Sequence, residues 1–288
     1  MANASVFMTK LPGPVRLVLA DLMGYDDAEP PLVPAGLAAP VGGAVAAGIA
    51  ALIAYQGPGY AQLYVRRVSR FIGRRGVDDS LLAEIARLLA GRMSFHDIPR
   101  IAELKLAGAG RDIADRIRFR LDEILASLPA MLAEPLLELA GWLKWSRLPV
   151  RLRFSPRPWP RRMVLRLWAL LARWRPSAVR AGQERALVER GLHMIDRALT
   201  LRPAAAAAVA ATATLIHGEG ESYRRRVANW HVVIDTLAKP VFDGVLDLPD
   251  LAGALVEAQA LALTDPDPEA LRRDVLRLTA AAGQKFAS

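Results

Sequence analysis

The feature that most narrows what this chain can become is a recurrence of apolar side chains at intervals of three and four residues. It repeats in segment after segment, and capping residues frame it. Asp78, Asp79 and Ser80 stand ahead of Leu81, Leu82, Ile85, Leu88 and Leu89, a spacing that lines those side chains along one helical stripe, and Gly91 closes the run. Asp97 precedes Ile98-Pro99, with proline where a first helical turn tolerates it. That helix runs through Ile101, Leu104 and Lys105 to a break at Gly108 and Gly110. Asp112 opens a further helix carrying Ile113, Ile117, Leu121, Ile124, Leu125 and Leu128. The same rhythm predicts helices over 41–56, 60–72, 131–145, 161–174, 183–199, 204–216, 223–237, 251–263 and 269–282, the last opened by Asp267-Pro268-Glu269. Only 150–155, Val-Arg-Leu-Arg-Phe-Ser, alternates with the period of two that a strand requires. The fold class expected is therefore all-α: an irregular multi-helix bundle with at most a short extended hairpin near 150–160.

Residues 1–34 hold Pro12, Gly13, Pro14, Pro30, Pro31 and Pro34 and read as an N-terminal arm with a helical turn or two over 15–23. The helical domain is expected over 35–288, with a hinge in the proline-rich 149–160 loop. No residue between Glu29 and Arg66 is charged, and 35–55 is apolar enough to span a bilayer by length. It is built from Ala and Gly, however, with Pro40 and Gly42-Gly43 inside, and alanine gains little in lipid. A buried helix is the expectation.

There is no cysteine among the 288 residues, which removes disulfides, thiolate metal sites, Fe–S ligation and Cys nucleophiles together. That composition suits a reducing compartment, and residues 1–10 carry no secretory pattern, so a bacterial, cytoplasmic setting is expected. His96, His193, His217 and His231 fall at no metal-ligand spacing, and no phosphate-binding loop, dinucleotide fingerprint or nucleophile elbow is present. No metal ligand and no catalytic residue is assigned.

Two segments stand above this background. His217-Gly218-Glu219-Gly220-Glu221-Ser222-Tyr223 leads into Arg224-Arg225-Arg226, with two glycines able to take positive φ at a helix N-terminus. His217, Gly218, Gly220, Tyr223 and Arg224 form either an anion or ligand turn or a structural corner with glutamates as caps. The second segment carries the charge. From 139 to 183 stand ten arginines, Lys144 and no acid, so the segment is +11 and, against a net charge of +9, the remainder is −2. Five of the six tryptophans lie here, Trp142, Trp145, Trp159, Trp168 and Trp174. In the helix expected from Arg161, Val164, Leu165, Trp168, Leu171 and Trp174 (or Leu167 and Leu170) form an apolar face, with Arg162, Arg166 and Arg173 opposite. Arg161, Arg162, Arg166, Trp168, Arg173 and Trp174 are the candidate docking residues. A solvated arginine face, a protein interface, an interfacial membrane helix and a nucleic-acid surface all have this composition.

The order of motifs carries a resemblance. Tyr55-Gln56, Tyr60-Ala61, Tyr64 and Arg67 are followed by Leu82-Ala-Glu-Ile-Ala-Arg-Leu-Leu-Ala-Gly-Arg-Met93 and Phe95-His-Asp-Ile-Pro-Arg-Ile-Ala-Glu-Leu-Lys105. Then come 121–129, the Trp/Arg segment, Leu215-Ile-His-Gly-Glu-Gly-Glu-Ser-Tyr223 and Asn229. Over about residues 50–240 the chain resembles the C-terminal helical domain of unknown function attached to the β-subunit type of indolepyruvate:ferredoxin oxidoreductase. It departs where that family has tyrosine between the late glycines and then Asp-Thr-His, for here Glu219 and Glu221-Ser222-Tyr223 stand instead. Phe95-His96-Asp97 likewise replaces an aromatic-acid step resembling Tyr-Glu-Asp.

The resemblance implies a non-catalytic accessory domain acting by protein docking within a thiamine-diphosphate-dependent 2-oxoacid:ferredoxin oxidoreductase. The thiamine diphosphate and Fe–S clusters belong to partner subunits, including a γ-type component, and ferredoxin is a further expected partner. No catalytic residue carries over. The alternative left open is a peripheral membrane or nucleic-acid binding protein using 142–180.

Overall fold

The computed structural model describes residues 28–157, 159–264 and 267–285. The helical turn expected over 15–23, and the arm as far as residue 27, lie outside these; residues 28–34 are irregular. The fold is all-α and many-helixed, with one small two-stranded sheet. In chain order the main elements are α1 Ala39–Gln56, α2 Pro58–Ser69, α3 Asp79–Met93, α4 Ile98–Leu106, β1 Arg116–Arg120, α5 Leu121–Ala126, α6 Ala130–Trp142, β2 Pro149–Arg153, α7 Trp159–Leu170, α8 Val179–Leu201, α9 Ala206–Ala211, α10 Gly220–Val233, α11 Lys239–Phe242, α12 Leu251–Thr264 and α13 Pro268–Lys285. Two compact units interleave along the sequence. The first takes residues up to Leu32, Leu52–Leu63 and His96–Gln183; the second takes Val33–Ala51, Tyr64–Phe95 and Glu184–Ser288.

Caps expected from sequence are in place. Asp78 accepts the Leu81 amide at 2.7 Å and Asp97 the Arg100 amide at 2.7 Å, each at the second or third turn-forming N–H that a helix start leaves open. Asp267 accepts from the Glu269 amide at 3.3 Å at the start of α13. Among the described residues α1 is the helix long and apolar enough to cross a membrane. Its large side chains, Val41, Val45, Ile49, Leu52 and Tyr55, are buried, and its alanines and glycines supply most of the open surface.

One predicted helix is corrected. The segment 112–128 does not run as a single helix: 116–120 is strand β1, paired antiparallel with β2 in the register Ile117↔Leu152 and Phe119↔Val150, and only Leu121–Ala126 is helical. Arg-Ile-Arg-Phe-Arg alternates with period two, so pairing with Pro-Val-Arg-Leu-Arg lets Ile117 and Phe119 turn inward while the arginines stay out. The extended piece near 150 is thus real, but its partner lies 30-odd residues upstream rather than in a local hairpin. Residues 149–157 sit inside the first unit as β2 and the loop after it, and Trp159 already opens α7.

The core of the first unit is Ile98, Ile101, Ala102, Ile113, Ile117, Phe119, Phe154 and Leu165, brought together by α4 packing on α7 with the ribbon beside them. Phe119 and Phe154 meet edge to face, with ring centres 6.1 Å apart. The expected helix over 161–174 ends at Leu170 and tightens to a 3₁₀ turn, Leu171–Ser177. Pro176 has no N–H to return to the 172 carbonyl, so an α-turn cannot continue there.

Inside that turn lies the polar centre of the unit. Arg175, counted from sequence as part of a cationic surface, is 2% exposed. Its Nε donates to Asp97 Oδ2 at 2.8 Å, its Nη2 to Asp97 Oδ1 at 3.3 Å and its Nη1 to the Tyr55 carbonyl at 2.9 Å. The guanidinium also stacks 4.2 Å from the centre of the Tyr55 ring.

In the second unit, Gly48 lets α1 and α2 close up: a Cβ there would collide with the Tyr64 ring and hydroxyl. Tyr64 donates to the Ala86 carbonyl at 3.0 Å, and burial pushes its phenol up to about 12. Trp230 is the largest fully buried side chain, and its indole N–H donates to Thr212 at 3.1 Å. The helix predicted over 223–237 widens into a π turn at Ile234–Ala238, because Pro240 cannot donate back into an α ladder and its ring crowds the preceding carbonyl.

Removing one member of the buried pair leaves the other charged without a partner. Arg175→Met should therefore cost about 3–5 kcal/mol of unfolding free energy. Urea unfolding measures it, and a loss below about 1 kcal/mol would refute the pair's importance.

Candidate docking surface

The sequence-selected residues 161–174 divide between packing and exposure. Arg162 and Arg166 are exposed on α7, Arg161 is half-buried, and Arg173 is exposed on the 3₁₀ turn rather than on a continuation of the helical face. Trp168 packs against the core cluster and Trp174 is half-buried. The apolar face predicted for α7 is realised through Leu165, buried, and Trp168, but Val164 stands 51% exposed beside Leu167 and Leu170. The helix thus keeps one narrow seam inside and shows both arginines and large apolar groups outside.

The helix expected over 131–145 is present as α6, but sequence reasoning missed which face it exposes. Its buried residues are Ala133 and Ala140, two turns apart, whereas Met131, Leu132, Leu136, Leu139 and Trp142 are exposed, Trp142 by 80%. A helix that packs on alanine and offers its Leu, Met and Trp to solvent is inverted relative to the usual amphipathic pattern. Trp145 and Leu148, exposed as well, carry this apolar surface to the start of β2. Contiguous apolar exposure of this kind makes the segment a candidate interaction surface. A helical wheel shows both faces of α6 but cannot say which one its neighbours will take; the alanine spacing of seven was the only hint.

The ribbon adds a further group that the sequence reading missed. Arg116 faces Arg153 and Arg118 faces Arg151 across the two strands, all four exposed on the side opposite Ile117 and Phe119. Arg116 and Arg118 had been placed in a helix, where they would have pointed elsewhere.

The glycine turn of the second unit is organised from within. Gly218 and Gly220 take φ of 92° and 53°. Tyr223 is buried, and its hydroxyl donates to Glu184, which also accepts from Arg92 at 2.9 Å; Arg92 in turn donates to the Ile216 carbonyl at 3.2 Å. His217 is exposed, its Nδ1 donating to the Thr214 carbonyl at 2.8 Å and its Nε2 accepting from Arg226. Arg224 is half-buried one turn into α10. These contacts make the turn a corner anchored on a buried ion pair.

Nearby, a cavity of about 50 Å³ is lined by Ile85, Leu89, Leu192, Trp230 and the polar Arg92 and Thr212. Thr212 donates to the Val209 carbonyl and accepts from Trp230, and Arg92 is engaged as above, so its polar groups are committed to the fold. Among the described residues no three His, Asp or Glu side chains gather as metal ligands.

Residues 41–236 match the model of a family of unknown function, DUF6537. No curated protein matches the chain. No solved structure matches it either.

Arg190 is another organised cation of the second unit, beside Arg67, Arg70, Arg74 and Arg197, which pair with Glu189, Asp196 and Asp243. It donates to His231 Nδ1 at 2.9 Å and pairs with Asp235, while its guanidinium lies 5.7 Å from the Trp230 ring centre. Burial first, and Arg190 second, hold the His231 imidazole below its usual pKa, against the opposing pull of Asp235. The unfolded state then binds the proton at higher pH than the folded one. Stability should fall as pH drops through about 6.5 toward the lower folded value. Urea midpoints between pH 7.5 and 5.5 should show that decline, and His231→Gln should flatten it; an unchanged slope in the variant would contradict the assignment.

Proposed function

The chain belongs to the DUF6537 family, and we propose that it serves as a non-catalytic helical accessory module of a thiamine-diphosphate-dependent 2-oxoacid:ferredoxin oxidoreductase of the indolepyruvate type. Its work is to dock protein partners. The observation that carries this reading is the outer surface of the first unit. There α6, the 142–148 segment and α7 expose Trp142, Trp145, Leu139 and Leu167 among exposed arginines, and no acid occurs from 139 to 183. Aromatic, Met and Arg enrichment is what distinguishes the centre of a protein interface from ordinary surface.

The resemblance in motif order over about residues 50–240 supplies the enzyme class. Oxidative decarboxylation to an acyl-CoA with electrons sent to ferredoxin needs a thiamine site and Fe–S relays, and the relays need thiolates. A chain without cysteine leaves that chemistry to the γ-type and thiamine-diphosphate components and contributes surface. Ferredoxin is the further partner that a cationic face would suit. Glu134 and Glu138, both exposed on α6 beside its apolar residues, argue against an anionic lipid or nucleic-acid surface as the occupant.

The purified protein, added to the catalytic components, should give a salt-sensitive gain in assembly or in indolepyruvate-dependent ferredoxin reduction. Failure to associate at low ionic strength, or turnover by this chain unaided, would refute the proposal.

A further inference from the structure

The two-stranded ribbon of the first unit holds an arrangement that folding alone disfavours. Antiparallel register sets Arg116 directly opposite Arg153 and Arg118 directly opposite Arg151. Directly opposed residues of one face lie about 5 Å apart at Cβ, and like charges so placed weaken a ribbon. Along each strand the same-face neighbours are about 7 Å apart, so four guanidinium groups share one small patch. All four residues are exposed, and among the described residues no carboxylate pairs with Arg116, Arg151 or Arg153. The ribbon's other face is committed to the core through Ile117, Phe119 and Leu152, so the register that seals the core is also the one that stacks the arginines. Arg118 is engaged elsewhere as well, and an acid at Arg116, Arg151 or Arg153 would relieve the repulsion without disturbing packing.

We propose that this arginine ladder is the electrostatic receptor of the docking surface, accepting a cluster of carboxylates on an acidic protein partner; the inference rests on the docking reading above. Guanidinium groups pair bidentately with carboxylates, and a quartet set in two rows fixes orientation as well as attraction. The occupant is a protein rather than a polynucleotide because the surface that continues from the ladder is apolar. Leu148 and Trp145 lead from the start of β2 toward α6, whose exposed Leu136, Leu139 and Met131 have nothing to offer a phosphate backbone. An acidic rim around an apolar centre is the complement of this surface. On α7, Arg162 and Arg166 then contribute long-range attraction, not the specific contact.

The test uses the full chain and polyglutamate as a minimal acidic partner, with binding followed by fluorescence anisotropy at low salt. Arg151→Glu/Arg153→Glu makes two opposite-charge pairs across the strands. It should raise the melting temperature while weakening polyglutamate binding about tenfold. Arg162→Glu/Arg166→Glu changes net charge by the same amount and should lose no more than about threefold. If the ribbon variant melts lower and also loses binding, Arg116→Glu/Arg118→Glu decides: retained binding there overturns the proposal, and lost binding supports it. Equal losses in the ribbon and α7 variants, or wild-type binding in the ribbon variant, would overturn it while leaving docking through other residues intact. Preference for duplex DNA or phosphatidylserine vesicles over polyglutamate, abolished in the ribbon variant, would also overturn it. Docking itself fails separately, if the wild-type chain does not assemble with oxidoreductase components whatever it does with polyglutamate.

Discussion

The first unit is organised around one buried guanidinium. Arg175 joins the cap of α4 through Asp97, the end of α1 through the Tyr55 carbonyl and ring, and the 3₁₀ turn from which it projects. Burying such a charge is costly, and only full satisfaction of its donors offsets the cost. Each partner is therefore held to a narrow geometry: Asp97 must cap the helix and receive the fork at once, and Pro176 must end α7's spiral so that the side chain turns inward. With those elements pinned, α4 meets α7, the ribbon closes on Ile117 and Phe119, and the remaining arginines of the segment are left outside.

That division of arginines separates the contacts that hold the fold from the surface proposed for docking. The core requires only small or modest contacts from α6, which the alanines 133 and 140 supply. Large side chains on the opposite side of α6 add nothing to folding and would be an aggregation hazard without an occupant. The opposed arginines of the ribbon have the same character. Features that cost stability and repeat on neighbouring elements are the expected mark of a surface kept for a partner. By contrast, the second unit engages polar groups internally, Glu184 with Arg92 and Tyr223, and Arg190 with His231 and Asp235.

Helical identity was legible because capping and periodicity are local. Asp78, Asp97 and Asp267 announced their helices, and the runs that follow them fold as read. Legibility failed at 112–128, where Ile113, Ile117, Leu121 and Ile124 fit a helical spacing while Ile117 and Phe119 fit a strand. Both patterns were present, and the choice belonged to a partner strand that begins at Pro149. The proposed docking surface was half legible. Its charge and tryptophans could be counted, but Arg175 had to be subtracted and Arg116, Arg118 and the apolar face of α6 added.

The sequence by itself determined the all-α class, the absence of thiol chemistry, the helix starts and the concentration of positive charge between 139 and 183, since each depends on composition or on neighbours a few residues apart. Only the tertiary structure decided which arginine is buried, which face of α6 is covered, and which residues stand opposite one another across the ribbon. Those are choices among surfaces that the local code leaves equivalent. They are resolved by which contacts between distant segments bury the most apolar area while leaving no charge unpaired inside.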